Sequence, residues 1–268
     1  MLKLFATDLD GTLLGKGNHI IDEDKHAIHR LISQGIEFAV ATGRMDRDIV
    51  KILTDIEAKG HRISQNGAFV FDKENRRLYK QTFNKEVSTL VHKAVAEHHD
   101  VFCITTADEI YISKKTAQIR EFEPLLLFPL LEGVDFIHEY GQRIHPSKYM
   151  LIGETDEIIA AQDKLNASFS DVTESYLSDN HCVDIVPKGT SKAVGLEQLV
   201  KNMSIKPEEI AVIGDSFNDI PMFEMTPYSY AMESAHPDVK KKASKVVKHV
   251  HEAIDDILIH TRGEVGSF

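Results

Sequence analysis

Apolar runs alternate with amphipathic segments over the first 81 residues of this 268-residue chain. The runs at 2–7 and 36–43 have the length and the apolar character of buried strands. The segments at 21–35 and 45–59 repeat their apolar residues at helical spacing, and 62–81 reads as a strand followed by a hairpin. This order predicts a βαβαβ unit, in which helices cover both faces of a parallel sheet.

A similar alternation returns near the C-terminus. Strands are predicted at 183–187, 210–216 and 228–232. Helices are predicted at 191–202 and 218–225, with a shorter one that begins at Pro207. The two ends of the chain therefore read as the two halves of one doubly wound domain.

The middle of the chain lacks this regular alternation. Residues 83–183 mix helices with short strands, which is typical of an inserted α+β domain. We expect an α/β fold with a doubly wound, Rossmann-like parallel-sheet core at 1–82 and 184–268, interrupted by that insertion. Within the insertion, the apolar segment 121–136 either lines a cleft or belongs to the insertion's own core.

Composition narrows the partners and the compartment. A formal net charge of −11 argues against nucleic acid or an anionic membrane as a general partner. The longest apolar stretch, 125–131, is far shorter than the roughly 20 residues that span a bilayer. Cys103 and Cys182 form no CxxC motif, so we expect neither a disulfide framework nor a cysteine zinc site. A soluble protein of the reducing cytoplasm fits best, and no protein partner can be inferred.

Polar residues follow three of the predicted strands. Asp8 and Asp10 come after the first strand, 42–44 is Thr-Gly-Arg, and 214–216 is Gly-Asp-Ser. Taken one at a time, each of these is a common turn or helix cap. In an open α/β sheet, however, ligands bind at the carboxyl ends of the strands, so the topology brings all three segments to one crevice. Their coincidence favours a functional site.

Four segments of the chain resemble the ordered motifs of the haloacid dehalogenase-like phosphohydrolases. They are DLDGTLL at 8–14, ATGR at 41–44, KGTSKAVGLEQL at 188–199 and GDSFNDIPM at 214–222. The long insertion, with SQNGA at 64–68 before it, is similar to the Cof-type subfamily, whose C2B-type α/β cap sets substrate specificity. The resemblance therefore implies a catalytic core at 1–82 and 184–268 and a cap at 83–183. Near the C-terminus the chain departs from the family pattern, since AMESA stands where AMGNA is common.

The resemblance implies a phosphoryl transfer in two steps. Asp8 would attack phosphorus as the nucleophile, and Asp10 would serve as the general acid and then the general base. Because a phosphate dianion approaches carboxylates only with a counter-charge, Mg²⁺ is the expected cofactor. Asp8, Asp215 and the backbone carbonyl of Asp10 would hold it.

The resemblance also implies a set of phosphate-binding residues, comprising Leu9, Thr42, Gly43, Lys192 and Asn218. Thr42 and Gly43 are expected where a helix begins, a position that favours anions. Thr12, Ser216 and Asp219 would complete the site: Thr12 either positions the loop of the acid/base or caps a helix, and Asp219 either binds the metal through water or orients Lys192. Arg44 is left without a role.

These residues predict a Mg²⁺-dependent phosphatase that acts on small phosphorylated metabolites, such as sugar phosphates, nucleotides or phosphorylated cofactors. A phosphotransferase or phosphosugar mutase, which passes the same phosphoryl group to a sugar hydroxyl, is the first alternative. A non-catalytic sensor of phosphorylated metabolites is the second, although such a sensor is expected to lack the nucleophile or the acid, and both Asp8 and Asp10 are present.

Overall fold

The computed structural model of the chain describes residues 1–15, 17–123, 129–179 and 181–263. It divides into two compact units. The discontinuous unit consists of Met1–Lys80 and Ser191–Phe268, and the inserted unit consists of Gln81–Thr190. None of the helices in the described ranges combines the length and the apolar character that a membrane crossing requires.

The first segment of the discontinuous unit alternates strands and helices as predicted. Its elements are β1 (Leu4–Thr7), α1 (Asp22–Ser33), β2 (Glu37–Ala41), α2 (Asp46–Asp55), β3 (His61–Ser64), β4 (Phe69–Phe71) and β5 (Arg77–Lys80). Helix α2 is shorter than the predicted 45–59, because Glu57 adopts a left-handed conformation with φ +54° that ends the helix. A short 3₁₀ turn, Gln65–Gly67, connects β3 to β4.

The inserted unit mixes helices and strands. Its elements are α3 (Lys85–His98), β6 (Phe102–Thr105), β7 (Ile110–Ile112), α4 (Ala117–Phe122), α5 (Phe136–Glu139), β8 (Lys148–Ile152), α6 (Thr155–Phe169), β9 (Thr173–Asp179) and β10 (Cys182–Pro187). Of the apolar segment expected either to line a cleft or to form part of a core, residues 124–128 lie outside the described residues.

The second segment of the discontinuous unit resumes the alternation. Its elements are α7 (Lys192–Met203), β11 (Ile210–Gly214), α8 (Ile220–Phe223), β12 (Tyr228–Met232), α9 (Pro237–Lys240), β13 (Lys245–Val247) and α10 (Val250–Gly263). A 3₁₀ turn at Phe217–Asp219 precedes α8.

The two segments of the discontinuous unit share one sheet, with the strand order β13-β12-β11-β1-β2-β3-β4-β5. Strands β13 to β3 in this order are parallel, and β4 and β5 add an antiparallel hairpin. Strand β1 is buried on both faces: Phe5 packs in one apolar cluster with residues of α1 and α10, whereas Leu4 and Ala6 pack in another with α7. The α/β fold with a largely parallel, helix-covered sheet is confirmed.

The inserted unit has its own antiparallel sheet, with the strand order β7-β6-β8-β10-β9. Val183 and Ile185 of β10 pack in the same apolar cluster as Ile104 of β6 and Leu151 of β8, together with residues of α3 and α6. We expected the strand at 183–187 to open the second half of the parallel sheet, and this expectation is wrong. The strand is part of β10, which pairs antiparallel with β8 and β9.

Candidate active site

Strand β1 delivers Asp8 to the carboxyl edge of the parallel sheet. The backbone N–H of Asp8 donates to the carbonyl of Ile213 in β11 (2.9 Å), and its side chain is almost fully buried. Three residues later the chain turns at Gly11, with φ +80°. A side chain at Gly11 would overlap the carboxylate of Asp215, so the sharp turn and the close approach both require glycine there.

Lys192, the first residue of α7, is buried between two carboxylates. Its Nζ donates to Asp8 Oδ1 (2.6 Å) and to Asp219 Oδ1 (2.7 Å), and its side chain is 2% exposed. Burial alone would lower the pKa of the lysine, but the Asp219 and Asp8 carboxylates outweigh it and raise that pKa above its ordinary value. Lys192 therefore carries a positive charge in the interior of the site.

Asp219 organises the loop that follows β11. Its Oδ2 accepts hydrogen bonds from the backbone N–H groups of Asp215 and Ser216, both at 3.0 Å, while its Oδ1 binds Lys192. Both carboxylate oxygens of this fully buried side chain are thus engaged. Asp219 therefore contacts Lys192 directly, and whether it orients that lysine or binds a metal through water stays a prediction.

Three carboxylates converge at this edge of the sheet. Asp8, Asp215 and Asp219 each offer an oxygen, and these oxygens lie within 4.8 Å of one another. Thr12 Oγ1 donates to Asp215 Oδ1 (3.0 Å), which fixes that side chain. Burial raises the pKa of Asp215, and the neighbouring Asp219 carboxylate adds to the effect. Burial likewise raises the pKa of Asp8, with Lys192 opposing it. A cluster of three carboxylates like this one could hold a metal ion.

The loop after β2 carries Thr42 and Gly43. We expected these residues where a helix begins, but helix α2 starts later, at Asp46. The N–H of Arg44 donates to Thr42 Oγ1 (3.2 Å), and the N–H of Thr42 donates to the carbonyl of Ile63 (2.9 Å). These bonds hold the buried Thr42 hydroxyl at the strand end, where its own proton can be donated to a ligand.

Arg44 fixes the side chain of Asp10. Its Nε donates to Asp10 Oδ2 (2.8 Å), its Nη2 donates to Asp10 Oδ1, and Nη2 also donates to Asn18 Oδ1 (3.0 Å). A two-pronged contact of this kind sets the orientation of a carboxylate as well as its charge environment. Sequence reasoning gave Arg44 no role, although its place directly after Thr-Gly at a strand end was a usable signal.

Asn218 meets a residue that sequence reasoning also missed. Its Nδ2 donates to Oδ1 of Asn66 (3.3 Å), and Asn66 is the third residue of the SQNGA segment. That segment served to identify the subfamily, but nothing in its composition assigned it a task. Asn66 is buried beside the loop that carries Gly43.

The hydrogen bonds thus connect most of the predicted site residues. They form two groups. One joins Asp8, Lys192, Asp219, Asp215 and Thr12. The other joins Asp10, Thr42 and Asn218 through Arg44 and Asn66. Leu9 differs, because its side chain packs in the apolar cluster of Phe5 and only its backbone is available to a phosphate. Ser216 takes part through its N–H, which donates to Asp219, and its side chain is exposed.

Known proteins are similar to this chain over nearly its whole length. The family model of the haloacid dehalogenase-like hydrolases matches residues 5–257. The phosphatase YwpJ of Bacillus subtilis is 27% identical over 91% of this chain and 94% of its own. The 5-amino-6-(5-phospho-D-ribitylamino)uracil phosphatase YbjI of Escherichia coli is 29% identical over 97% of each chain.

A solved structure shares the fold. The crystal structure of a haloacid dehalogenase-like hydrolase from Bacteroides thetaiotaomicron matches with a TM-score of 0.85 and 25% identity, over 96% of this chain and 100% of that one. The family match spans both segments of the discontinuous unit and the strand ends that carry the acidic cluster. The chain belongs to the haloacid dehalogenase-like hydrolases.

Proposed function

We propose that this enzyme is a Mg²⁺-dependent phosphatase that hydrolyses small phosphomonoesters through an aspartyl-phosphate formed on Asp8. One observation carries the proposal: the buried carboxylate of Asp8 lies beside both a fixed cation, Lys192, and the carboxylates of Asp215 and Asp219. A site with this charge pattern suits a metal cation together with a phosphoryl anion.

The donor set fits Mg²⁺. All donors in the cluster are oxygens, which favours a hard cation over zinc. The carboxylate oxygens that Asp8 and Asp215 offer lie within 4.8 Å of each other, and a cation between them would offset the repulsion of the two negative charges. Because Asp219 already binds Lys192 and two N–H groups, Asp8, Asp215 and the backbone carbonyl of Asp10 would hold the ion. When bound, Mg²⁺ would neutralise charge on the phosphoryl oxygens.

Asp8 and Asp10 would carry out the two chemical steps, Asp8 as the nucleophile and Asp10 as the acid and then the base. An oxygen of Asp8 attacks phosphorus and forms a new P–O bond, while the bond from phosphorus to the leaving oxygen breaks and Asp10 supplies that oxygen with a proton. A water molecule then attacks the phosphorus of the aspartyl-phosphate, and Asp10 takes its proton as the bond to Asp8 breaks. Orthophosphate leaves, and both carboxyl groups return to their starting states.

The remaining polar groups would bind the phosphoryl oxygens. Lys192 contributes a fixed positive charge, Thr42 a hydroxyl, and Gly43 and Leu9 their backbone N–H groups. Asn218 contributes an amide N–H. Arg44 would keep Asp10 in the orientation in which it exchanges its proton.

The substrates proposed are small phosphorylated metabolites such as sugar phosphates, nucleotides and phosphorylated cofactors. The name of the relative YbjI supports this class, since it specifies a phosphoribityl compound as that protein's substrate. We assign the choice among such substrates to the inserted unit, Gln81–Thr190, acting as a cap.

The decisive experiment is a screen of phosphorylated metabolites with Mg²⁺, with orthophosphate release as the readout. The wild type should release phosphate from at least one of them, and Asp8→Asn should abolish release. Asp163→Asn, which removes an exposed carboxylate from α6, serves as the matched control and should retain activity. Undiminished turnover by Asp8→Asn would refute the mechanism. Conversion of a hexose 1-phosphate to the 6-phosphate without orthophosphate release would instead identify a mutase.

A further inference from the structure

The 3₁₀ turn Gln65–Gly67 has an unusual backbone. Its three residues have positive φ angles of +50°, +56° and +96° in succession, and two of them are not glycine. All three residues are buried. Left-handed conformations at non-glycine residues cost free energy and persist where the surrounding structure holds them in place. The contacts of this turn show what holds it.

The backbone of the turn is bonded to the loop after β2. The N–H of Gln65 donates to the carbonyl of Arg44 (2.8 Å), and the N–H of Asn66 donates to the carbonyl of Thr42 (2.9 Å). Consecutive N–H groups in such a turn can form an anion-binding nest, but here these two are already used. The turn therefore supports the loop of Thr42 and does not bind an anion through these N–H groups.

The glycine of the turn packs against the start of α7. A side chain at Gly67 would overlap the carbonyl of Ser191, the residue just before Lys192, and the same carbonyl accepts the N–H of Gly195 (3.0 Å). Glycine at this position permits both the left-handed backbone and the close approach. The turn thus also contacts the helix that carries the buried lysine.

The side chain of Asn66 completes the set of contacts. Its Oδ1 accepts a hydrogen bond from Nδ2 of Asn218 (3.3 Å) and lies where a side chain at Gly43 would touch it. The Oδ1 of Asn218 is buried and has no hydrogen-bond partner within the described ranges. One N–H of the Asn218 amide is therefore held by Asn66, which leaves the second N–H for a ligand.

We propose that Asn66 is a positioning residue for the phosphoryl group: from a buried left-handed turn bonded to the loop of Thr42 and packed on the helix of Lys192, it holds the Asn218 amide toward the phosphate. This inference rests on the proposed phosphatase function, and it adds to it a residue outside the four motifs. It predicts that Asn66 acts on phosphate binding through Asn218.

The test compares two asparagine-to-glycine variants. Asn66→Gly removes the side chain and keeps a residue that readily adopts the left-handed backbone. Asn75→Gly is the matched control, because Asn75 also has a positive φ (+64°) and also accepts a side-chain hydrogen bond, from Nη1 of Arg62 at 3.0 Å. Each variant is assayed for orthophosphate binding by calorimetry with Mg²⁺ present, for kcat and KM, and for Tm.

Asn66→Gly should weaken orthophosphate binding by about tenfold, the effect of losing one well-aligned hydrogen bond to a charged ligand. It should raise KM clearly while lowering Tm only slightly. Asn75→Gly should bind orthophosphate as the wild type does. In an Asn218→Ala background, Asn66→Gly should have little further effect, since the two residues act as one unit.

Two outcomes overturn the inference. The first is wild-type orthophosphate affinity and KM in Asn66→Gly, and the second is an Asn66→Gly effect of the same size with and without Asn218. Either result leaves the phosphatase function standing. A wild-type protein that neither binds orthophosphate nor releases it from any substrate overturns the proposed function and this inference together.

Discussion

The ammonium group of Lys192 lies 2.6 Å from Oδ1 of Asp8, and both side chains are almost fully buried. Removal of one partner from a buried ion pair leaves an uncompensated charge in the interior, which typically costs about 3–5 kcal/mol. We therefore expect Lys192→Met to lower the free energy of unfolding by roughly that amount and to abolish phosphate release. Urea denaturation and the phosphate-release assay measure the two effects.

Lys201→Met is the control for this prediction. Lys201 lies on the same helix with its side chain exposed, so the same change of chemistry should leave unfolding and turnover close to wild type. If Lys192→Met were as stable and as active as Lys201→Met, the buried lysine would have no part in organising Asp8.

Arg44 and Asp10 form a contact whose effect should be on activity rather than on stability. The pair is partly exposed, with 25% and 53% of the two side chains accessible, and ion pairs in that setting contribute about 0–1 kcal/mol. Arg44→Lys keeps the charge but loses the two-pronged geometry, so kcat should fall by roughly tenfold through misplacement of Asp10.

Steady-state kinetics and thermal melting of Arg44→Lys check this expectation. Arg30→Gln is the control, since Arg30 also pairs with a carboxylate, Asp255, on an exposed surface of the same unit. It should change neither kcat nor Tm appreciably. An unchanged kcat in Arg44→Lys would mean that Asp10 needs no support from Arg44.

The positions of the strands in the parallel sheet could be predicted from the sequence, but the pairing partners of β10 could not. Strands β1, β2 and β11 were predictable because an apolar run followed by polar residues marks the end of a buried strand. Strand β10 looks similar in sequence, since Val183 to Pro187 is a short segment that is apolar apart from Asp184 and is followed by a polar residue. Its antiparallel pairing depends on residues of β8 and β9, which lie elsewhere in the chain and which no local pattern identifies.

Within the candidate site, the residues at strand ends were predictable and those that support them were not. Asp8, Thr42 and Asp215 follow from strand direction alone. Arg44 and Asn66 form hydrogen bonds with Asp10 and Asn218, and such pairs are determined by the three-dimensional path of the loops. The burial of Lys192 was equally hidden, because lysine is seldom buried unless carboxylates surround it.

His61 predicts how stability depends on pH. Burial lowers its pKa from the ordinary value of 6.5, although Glu37 opposes the shift. Its Nδ1 accepts the N–H of Lys73 (3.2 Å), a bond that protonation would break. As the pH falls below about 6.5, the unfolded chain binds a proton that the folded protein does not, so the free energy of unfolding decreases.

In His61→Gln this contribution is absent. The loss of stability between about pH 8 and about pH 5.5 should therefore be smaller in His61→Gln than in the wild type, as measured by urea denaturation at each pH. His19→Gln, a change at an exposed histidine of the same unit, should leave the wild-type pH dependence unchanged. Equal pH dependence in His61→Gln and the wild type would contradict the role assigned to His61.

Gly11 and Gly35 provide a matched test of the proposed Mg²⁺ site. Their φ angles are +80° and +79°, so alanine at either position pays the same left-handed penalty of about 1–2 kcal/mol. Only at Gly11 would the new methyl group overlap the Asp215 carboxylate, since nothing lies within 4 Å of the corresponding position at Gly35. Gly11→Ala should therefore lose at least as much stability as Gly35→Ala, and only Gly11→Ala should weaken Mg²⁺ binding, by about tenfold or more. Calorimetric titration of Mg²⁺ into the folded proteins measures the difference, and equal affinities would show that Asp215 does not hold the ion.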